Sequence, residues 1–495
     1  MGKGAQKVVE AEQQPLAAEP ASAAKASIGR WVVDGEEYDL TEFIPKHPGG
    51  MDMFVWSNGR DITIPVYTYH RDPVRTVLPL LKKYKVQTPA KPIEDVVKHK
   101  LGIPHFLLPP GFDAATDIPT YNFDPTDESQ LLTTARKRVL APDVQRTIRR
   151  LDDLFDGIIV CVVAAYFGLL AAWLHGAVPW YVAVPAFAVL RTSMAAGGHY
   201  YVHRGRPHPG DWLFDLNYVG MAFTAQDGHV LIHHAYTQSD ADVKRGFFGG
   251  MMGIPRLLRV PVHTLHKLGH VLTGMLVRGY ECEFEPDNDE HQGAQEHLRR
   301  LNGYKLWAAA NWQFWAAHLW LRFELIAAVY CGVGWAWLGQ FAAALWMNTL
   351  MVVSSHDFED VLEPDCKDWA RYQLLNAHDM KITGNPWVDC FLSAGLSPHR
   401  AHHIFPYQKS AFANYYSNRI LSAAAKAHGL PWCAPKGWFT EIFPEVWRMY
   451  LSAPLSDPLT RKRVYPTFVA EHTAAEAYKY CFNYVCAGFL GIGSI

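Results

Sequence analysis

The sequence predicts a small α+β domain at the N-terminus. It predicts after it an all-α membrane domain with about four transmembrane helices and a histidine-rich cytosolic cap. Three observations carry this. Residues 28–88 alternate short apolar runs with tight-turn signals. Two stretches, 157–190 and 325–355, contain no Asp, Glu, Lys or Arg. Histidines gather in three clusters, two of which closely follow those stretches.

Composition narrows the class first. The 495 residues hold 46 Lys+Arg against 48 Asp+Glu, a formal net charge of −2. A nucleic-acid binder needs a clustered positive excess, so that class is excluded. Charged residues are 19% of the chain, below the roughly 25% of soluble domains. Eight cysteines at positions 161, 282, 331, 366, 390, 433, 481 and 486 form no CxxC pair. That pattern is neither a disulfide framework nor a cysteine zinc site, and fits a reducing compartment.

Along the chain, residues 1–27 are rich in Ala, Glu, Gln, Lys and Pro and lack the apolar core of a signal peptide. They read as a disordered cytosolic tail. In the 28–88 domain, Trp31–Leu40 is a strand, an Asp34-Gly35 turn and a second strand, because both turn residues tolerate positive φ. His47-Pro48-Gly49-Gly50 is a sharp turn. Residues 89–130 are a proline-rich linker.

The region 131–450 holds the apolar stretches. A bilayer span needs about 20 apolar residues, so 157–190 with its flanks fits a two-span hairpin turning near His175-Gly176 and Pro179. The stretch 325–355 is short for two spans. The third span therefore begins near Trp315 and includes Arg322 and Glu324, which must face the interior or each other. Met251–Tyr280 mixes apolar residues with Arg256, Arg259, Lys267 and Arg278, as a helix lying on a membrane does. Residues 451–495 are a C-terminal tail. With a cytosolic N-terminus, parity puts every histidine cluster on the cytosolic side.

The clusters are His199-Tyr-Tyr-Val-His203, His229-Val-Leu-Ile-His233-His234 and His399-Arg-Ala-His402-His403. Residues three and four apart share a helix face, so each cluster can aim two imidazoles at one point. Neutral imidazole suits iron, copper or zinc. Eight histidines exceed the need of one tetrahedral ion, which favours two metals. His356, just after the second apolar stretch, is a further candidate. His208, His263, His266, His270, His291, His297, His318 and His378 read as structural. His47 and His70 form a separate pair able to hold a haem iron from both sides, which favours electron transfer over oxygen binding.

Residues 28–88 resemble cytochrome b5, through Val33-Asp34-Gly35, Tyr38–Phe43, His47-Pro48-Gly49-Gly50, Gly59–Thr63 and Tyr69-His70. The resemblance puts the haem b ligands at His47 and His70. Residues 131–450 resemble membrane fatty-acid desaturases. The stretches that carry it are His229–Gln238 with Asp240–Val243, Ser355-His356 with Asp368-Trp369 and Gln373, and Gly395–Pro406. A cytochrome b5 fused to such boxes is similar to a front-end desaturase, most like the Δ4 and Δ5 members. Two departures stand out. His399 occupies a position where front-end members usually carry Gln, and Tyr200 follows His199 where Asp is usual.

This resemblance implies two iron ions held by His199, His203, His229, His233, His234, His356, His399, His402 and His403. It implies insertion of a cis double bond on the carboxyl side of existing ones in a polyunsaturated chain. O2 would take two hydrogens from the acyl chain, with two electrons and two protons from outside it, to give two waters. The substrate would be a fatty acyl lipid or acyl-CoA, the donor an NADH-cytochrome b5 reductase, and the site the endoplasmic reticulum membrane, multi-pass, with haem domain and boxes in the cytosol. A sphingolipid desaturase, a haem-fused lipid hydroxylase and a membrane-anchored haem electron carrier are the rival readings.

Overall fold

The structure, a computed structural model, describes residues 30–50, 61–87, 119–205, 208–219, 229–230, 233–239, 250–277, 312–353, 366–452 and 474–491, together with Phe54, Ser57, Asp242 and His356. The expected tail 1–27 and most of the 89–130 linker lie outside these residues.

β1 (Arg30–Val33) and β2 (Glu36–Asp39) pair antiparallel, Val33 opposite Glu36. Asp34 and Gly35 close the hairpin with φ of 51° and 73°, as an Asp-Gly turn should. The hairpin covers α1 (Thr63–Tyr69), α2 (Pro73–Thr76) and α3 (Leu78–Leu81). Trp31, Val33, Leu40, Ile44, Phe54, Val66 and Leu81 fill the small core between them.

The larger region is helical. α4 (Leu131–Val139) leads into α5 (Pro142–Leu174), which turns at His175–Pro179 into α6 (Trp180–Val202). Gly176 takes φ 73° at that turn, where the sequence placed it. α7 (Arg259–Gly269) follows, and α8 (Trp312–Tyr330) and α9 (Gly334–Val353) form a second hairpin turning at Gly332. α10 (Trp369–Asn376), α11 (His399–Ile404) and α12 (Ala411–Ala427) make the cap. α13 (Ala474–Phe489) packs back on α7. The sequence reading leaves 451–495 as a tail. The docking of α13 rests on small residues, and a Cβ on Gly488 would lie 2.1 Å from the His266 carbonyl oxygen.

Among the described residues, one helix, α5, is long and apolar enough to cross a membrane. The expectation was about four. α6, α8 and α9 have comparable length but interrupt their apolar faces with polar groups. Those groups face inward. Arg191 of α6 is buried and pairs with Glu324 of α8. It also donates to the Gln340 Oε1 at 3.1 Å, the Leu216 carbonyl at 3.1 Å and the Tyr166 hydroxyl at 3.0 Å. A buried ion pair holds only when every remaining donor is satisfied, and here four partners share one guanidinium. Glu324 therefore pairs with Arg191, not Arg322. Arg322 donates instead to the carbonyls of Leu272 and His318.

The small domain is packed against the large one. Ile64 belongs to the core of Leu131, Val139, Trp369 and Phe405. Phe123, at the end of the linker, stacks on Tyr67 with centroids 4.9 Å apart, and Arg136 donates to the Tyr67 carbonyl. By its prolines, 89–130 is expected to be a linker. Its last residues instead wedge the two regions together.

Candidate metal centre

Each histidine cluster comes from a different local structure. His199 lies on the last turn of α6, and His203 is its C-cap. His233 precedes the single helical turn His234–Tyr236. His399, His402 and His403 all lie on α11. The chain enters α11 through Ala394 and Gly395, both at positive φ. A side chain at 395 would meet the Tyr200 ring at 2.8 Å, so glycine there lets box three approach box one.

The structure brings all nine predicted histidines together. His199, His203, His229 and His402 form one group of ring nitrogens within 4.8 Å of one another. His233, His356, His399 and His403 form a second. His234 lies between them. Its Nε2 is 3.3 Å from that of His229, and its ring stacks on His403 with centroids 4.2 Å apart.

Do these groups fit metal ions? Around a metal held by bonds of about 2.1 Å, neighbouring ligand nitrogens sit ~3 Å apart. The Nε2 atoms of His199 and His229 are 2.8 Å apart, and those of His233 and His356 are 3.1 Å apart. Both ring nitrogens of His203 and of His402 are buried with no hydrogen-bond partner among the described residues. Orphaned buried nitrogens are costly unless something binds them. Burial, followed by the neighbouring imidazoles, pushes His203, His229, His234, His399, His402 and His403 well below the ordinary histidine range. Burial brings His356 down to about 3. These rings are therefore neutral at pH 7, which is the form that ligates. The donor set fits two transition-metal ions.

Several rings are oriented from behind. The Nδ1 of His233 is 3.0 Å from both Asp242 carboxylate oxygens. His356 Nδ1 donates to the Asn376 carbonyl at 2.9 Å. His403 Nδ1 donates to Gln373 Oε1 at 2.9 Å, while Gln373 Nε2 donates to the His234 carbonyl at 3.1 Å. A partner at Nδ1 fixes the tautomer and leaves Nε2 free for a metal. Sequence reading quotes Asp242 and Gln373 within motifs but assigns them no role. Their only signal is a polar residue within reach of a histidine box. Tyr200 packs beside the centre, its ring centroid 5.4 Å from those of His199 and His402. Its hydroxyl donates to the Gly395 carbonyl at 3.2 Å and accepts from Asn414 at 3.0 Å.

His47 and His70 face each other with ring centroids 6.1 Å apart. Two axial imidazoles on one iron, each bonded at about 2 Å, put their ring centres ~6 Å apart. His47 Nδ1 donates to the Gly50 carbonyl at 2.8 Å and His70 Nδ1 to that of Val66 at 3.0 Å. Burial lowers His47 and brings His70 down to about 4. This pair fits an axially held haem.

The histidines read as structural have other company. His318 faces Asp215 at 3.3 Å, His208 stacks on Tyr201, and His263 and His266 bond to Tyr484. His270 is buried beside His266 and His378 is also buried. His291 and His297 lie outside the described residues.

Comparison with known proteins agrees with this geometry. Residues 171–435 match the family described as fatty acid desaturase, and residues 21–88 match the cytochrome b5-like haem/steroid binding domain. A Dictyostelium discoideum protein named probable Delta(5) fatty acid desaturase C is 22% identical, over 79% of this chain and 84% of its own. Acyl-lipid (8-3)-desaturase B of the same organism is 26% identical, over 76% and 80%. A cytochrome b5-related protein of Drosophila melanogaster is 24% identical, over 76% and 78%. No solved structure matches the chain.

Proposed function

The chain belongs to the fatty acid desaturase family, an oxidoreductase with an N-terminal cytochrome b5-like domain, and from that premise we propose that it is a front-end desaturase. It inserts a cis double bond into a polyunsaturated acyl chain on the carboxyl side of existing ones, with Δ5 or Δ4 regiochemistry. The observation that carries this is the convergence of eight histidines in two groups of four, with His234 between them, beside a haem-spaced histidine pair. The printed name of one Dictyostelium relative, probable Delta(5) fatty acid desaturase C, supports the Δ5 reading.

An unactivated methylene is neither acidic nor electrophilic, so side chains alone cannot break its C–H bonds. Bound iron supplies the O2 chemistry and bound haem supplies single electrons. His199, His203, His229 and His402 would hold one iron, and His233, His356, His399 and His403 the other. His234 is available to either. His47 and His70 would hold the haem.

The chain's own residues orient and exclude. Asp242, Gln373 and the Asn376 carbonyl aim imidazoles inward. Burial keeps the His356 and His403 rings neutral and water away from the centre. Overall, one CH2–CH2 unit, O2, two electrons and two protons give one C=C and two waters. An NADH-dependent cytochrome b5 reductase would provide the electrons, and the carrier is acyl lipid or acyl-CoA.

Residues 28–88 are the haem domain and 131–450 the desaturase domain. Four helices, α5, α6, α8 and α9, cross the endoplasmic reticulum membrane in two hairpins, with haem domain and boxes in the cytosol. Outward-facing Val160, Phe167, Tyr181, Ile326, Val329 and Trp335 support this, as lipid rather than water suits such a surface. The inward Arg191–Glu324 pair, with Arg322 donating to the Leu272 and His318 carbonyls, accounts for the charges of α6 and α8.

Yeast that makes no polyunsaturates is the test. It would be fed di- to penta-unsaturated acids of about 18 to 22 carbons, and double bonds located by mass spectrometry. A new bond on the carboxyl side supports the reading and names the position. A new bond toward the methyl end would show that His399 marks different regioselectivity. An added hydroxyl, or modified sphingolipid, would overturn it in favour of those reactions.

A further inference from the structure

Among the described residues, one side chain next to the haem pair reaches the metal centre. Tyr69 is the chain neighbour of His70 and ends α1. Its ring lies nearly parallel to that of His203, at 13° and 6.0 Å between centroids. It meets the His234 ring edge-on at 6.3 Å. Its hydroxyl donates to the carbonyl of Val230, inside box two, at 2.9 Å. One aromatic residue thus touches box one by its ring and box two by both its ring and its hydroxyl. The docking around it is tight. A Cβ on Gly205, just after box one, would lie 2.4 Å from the Gly49 carbonyl oxygen of the haem-side turn. Arg71 also donates to Gln145 at 3.1 Å.

We propose that Tyr69 is the contact through which electrons pass from the haem held by His47 and His70 to the metal centre, entering at His203 and His234. The inference rests on the haem and iron assignments above. In each passage ferrous haem iron becomes ferric and one ferric iron of the centre becomes ferrous. Two passages supply the two electrons of a turnover, and an NADH-dependent reductase returns the haem to the ferrous state each time. The route follows packed matter: the His70 imidazole, one peptide unit, the Tyr69 ring, and the stacked His203 ring. The ring, not the hydroxyl, closes the gap. The hydroxyl fixes where the ring lies.

The test uses purified full-length protein carrying haem and iron. The haem is reduced anaerobically by a flash, and its absorbance is followed as the electron leaves. Wild type is expected to show a reoxidation phase independent of protein concentration. Tyr69→Leu, which removes the ring, is expected to slow that phase by about tenfold or more, since donor and acceptor contact is lost. Tyr69→Phe keeps the ring and is expected to stay within about threefold of wild type. Haem spectrum, haem midpoint potential and iron content are expected to be unchanged in both.

Wild-type rate in Tyr69→Leu would overturn the proposal. So would loss of haem or iron in that variant, which would make Tyr69 a support of either site. Tyr69→Phe as slow as Tyr69→Leu would overturn the role of the ring. Wild-type protein that carries haem and iron but shows no intramolecular phase would also overturn it, whereas wild-type protein that binds no haem would instead remove the site assignments on which the inference rests.

Discussion

The two histidine groups differ in what holds their rings. In the group of His233, His356, His399 and His403, three rings are tied at Nδ1, to Asp242, the Asn376 carbonyl and Gln373. In the group of His199, His203, His229 and His402, His199 lies 3.3 Å from the Ala394 carbonyl. His203 and His402 have no hydrogen bond at either nitrogen among the described residues. Packing holds them. His203 lies against Tyr69, His229, His234 and His402, with centroids 4.8 to 6.0 Å away. A hydrogen-bonded ring is aimed before a metal arrives. A packed ring is aimed by its walls, and one wall here belongs to the haem domain. The second group is therefore pre-organised by polar partners, and the first by docking.

The largest effect should come from cutting one ligand in each group. His402→Ala and His356→Ala are both expected to abolish desaturation in fed yeast, because each removes a ring from a set of four. The groups should separate in iron analysis under mild chelation. The packed group should lose its iron first, so His356→Ala protein should release the remaining iron sooner than His402→Ala protein does. Equal release from both would erase the proposed difference.

The next effect tests the polar partners themselves. Asp242→Ala removes the carboxylate behind His233 and is expected to lower activity and iron affinity by about 10–100-fold. Asp242→Asn keeps an acceptor and should lie between Asp242→Ala and wild type. Gln373→Leu cuts both the His403 and His234 links and should also impair iron binding. Steady-state rates and iron titration read both. Normal iron affinity in Asp242→Ala would mean that packing suffices in this group too.

What the sequence disclosed follows the same division. Local signals were legible. Asp34-Gly35 marks a hairpin, Gly176 falls at the turn of a helix pair, and in boxes one and three the imidazoles four apart fall in one group, whereas box two sends His229 to one group and His233 to the other. Partners distant in sequence were not. Arg191 and Glu324 lie 133 positions apart, and periodicity says which residue faces inward but not what it meets. Ile64 and Tyr67 lie within the small domain and Phe123 within the expected linker, yet they join two regions. Tyr69 reads only as a neighbour of His70. Its contacts exist because the regions dock, and no local pattern encodes docking. The apolar stretches predicted about four spans, but among the described residues only α5 is long and apolar enough by itself. The other three helices carry polar groups whose partners become visible only in three dimensions.

The smallest effect involves histidines outside both groups and sharpens the contrast between metal-facing and structural rings. His266 donates from Nδ1 to the Tyr484 carbonyl of α13 at 2.6 Å, and His263 lies 2.8 Å from the Tyr484 hydroxyl. Burial, then the nearby Lys267 charge, lowers His266 to about 4. An unfolded histidine titrates near 6.5. Between these values the unfolded chain holds more protons, so stability rises with pH through that window. The packing of α13 on α7 is thus complete above about pH 6.5 and weakens as pH falls toward 4, by up to ~3 kcal/mol. Hydrogen exchange over 474–489, corrected for intrinsic rates, should show α13 loosening at pH 5 relative to pH 7.5. His266→Gln should flatten that dependence. Added ferrous iron supplies the discriminating arm, since a metal that competes with protons for a ring raises acid resistance by mass action. Iron should protect activity against acid and leave the α13 profile unmoved. Iron protection of α13 as well would place His263 and His266 among metal-binding residues and break the distinction between the two kinds of histidine.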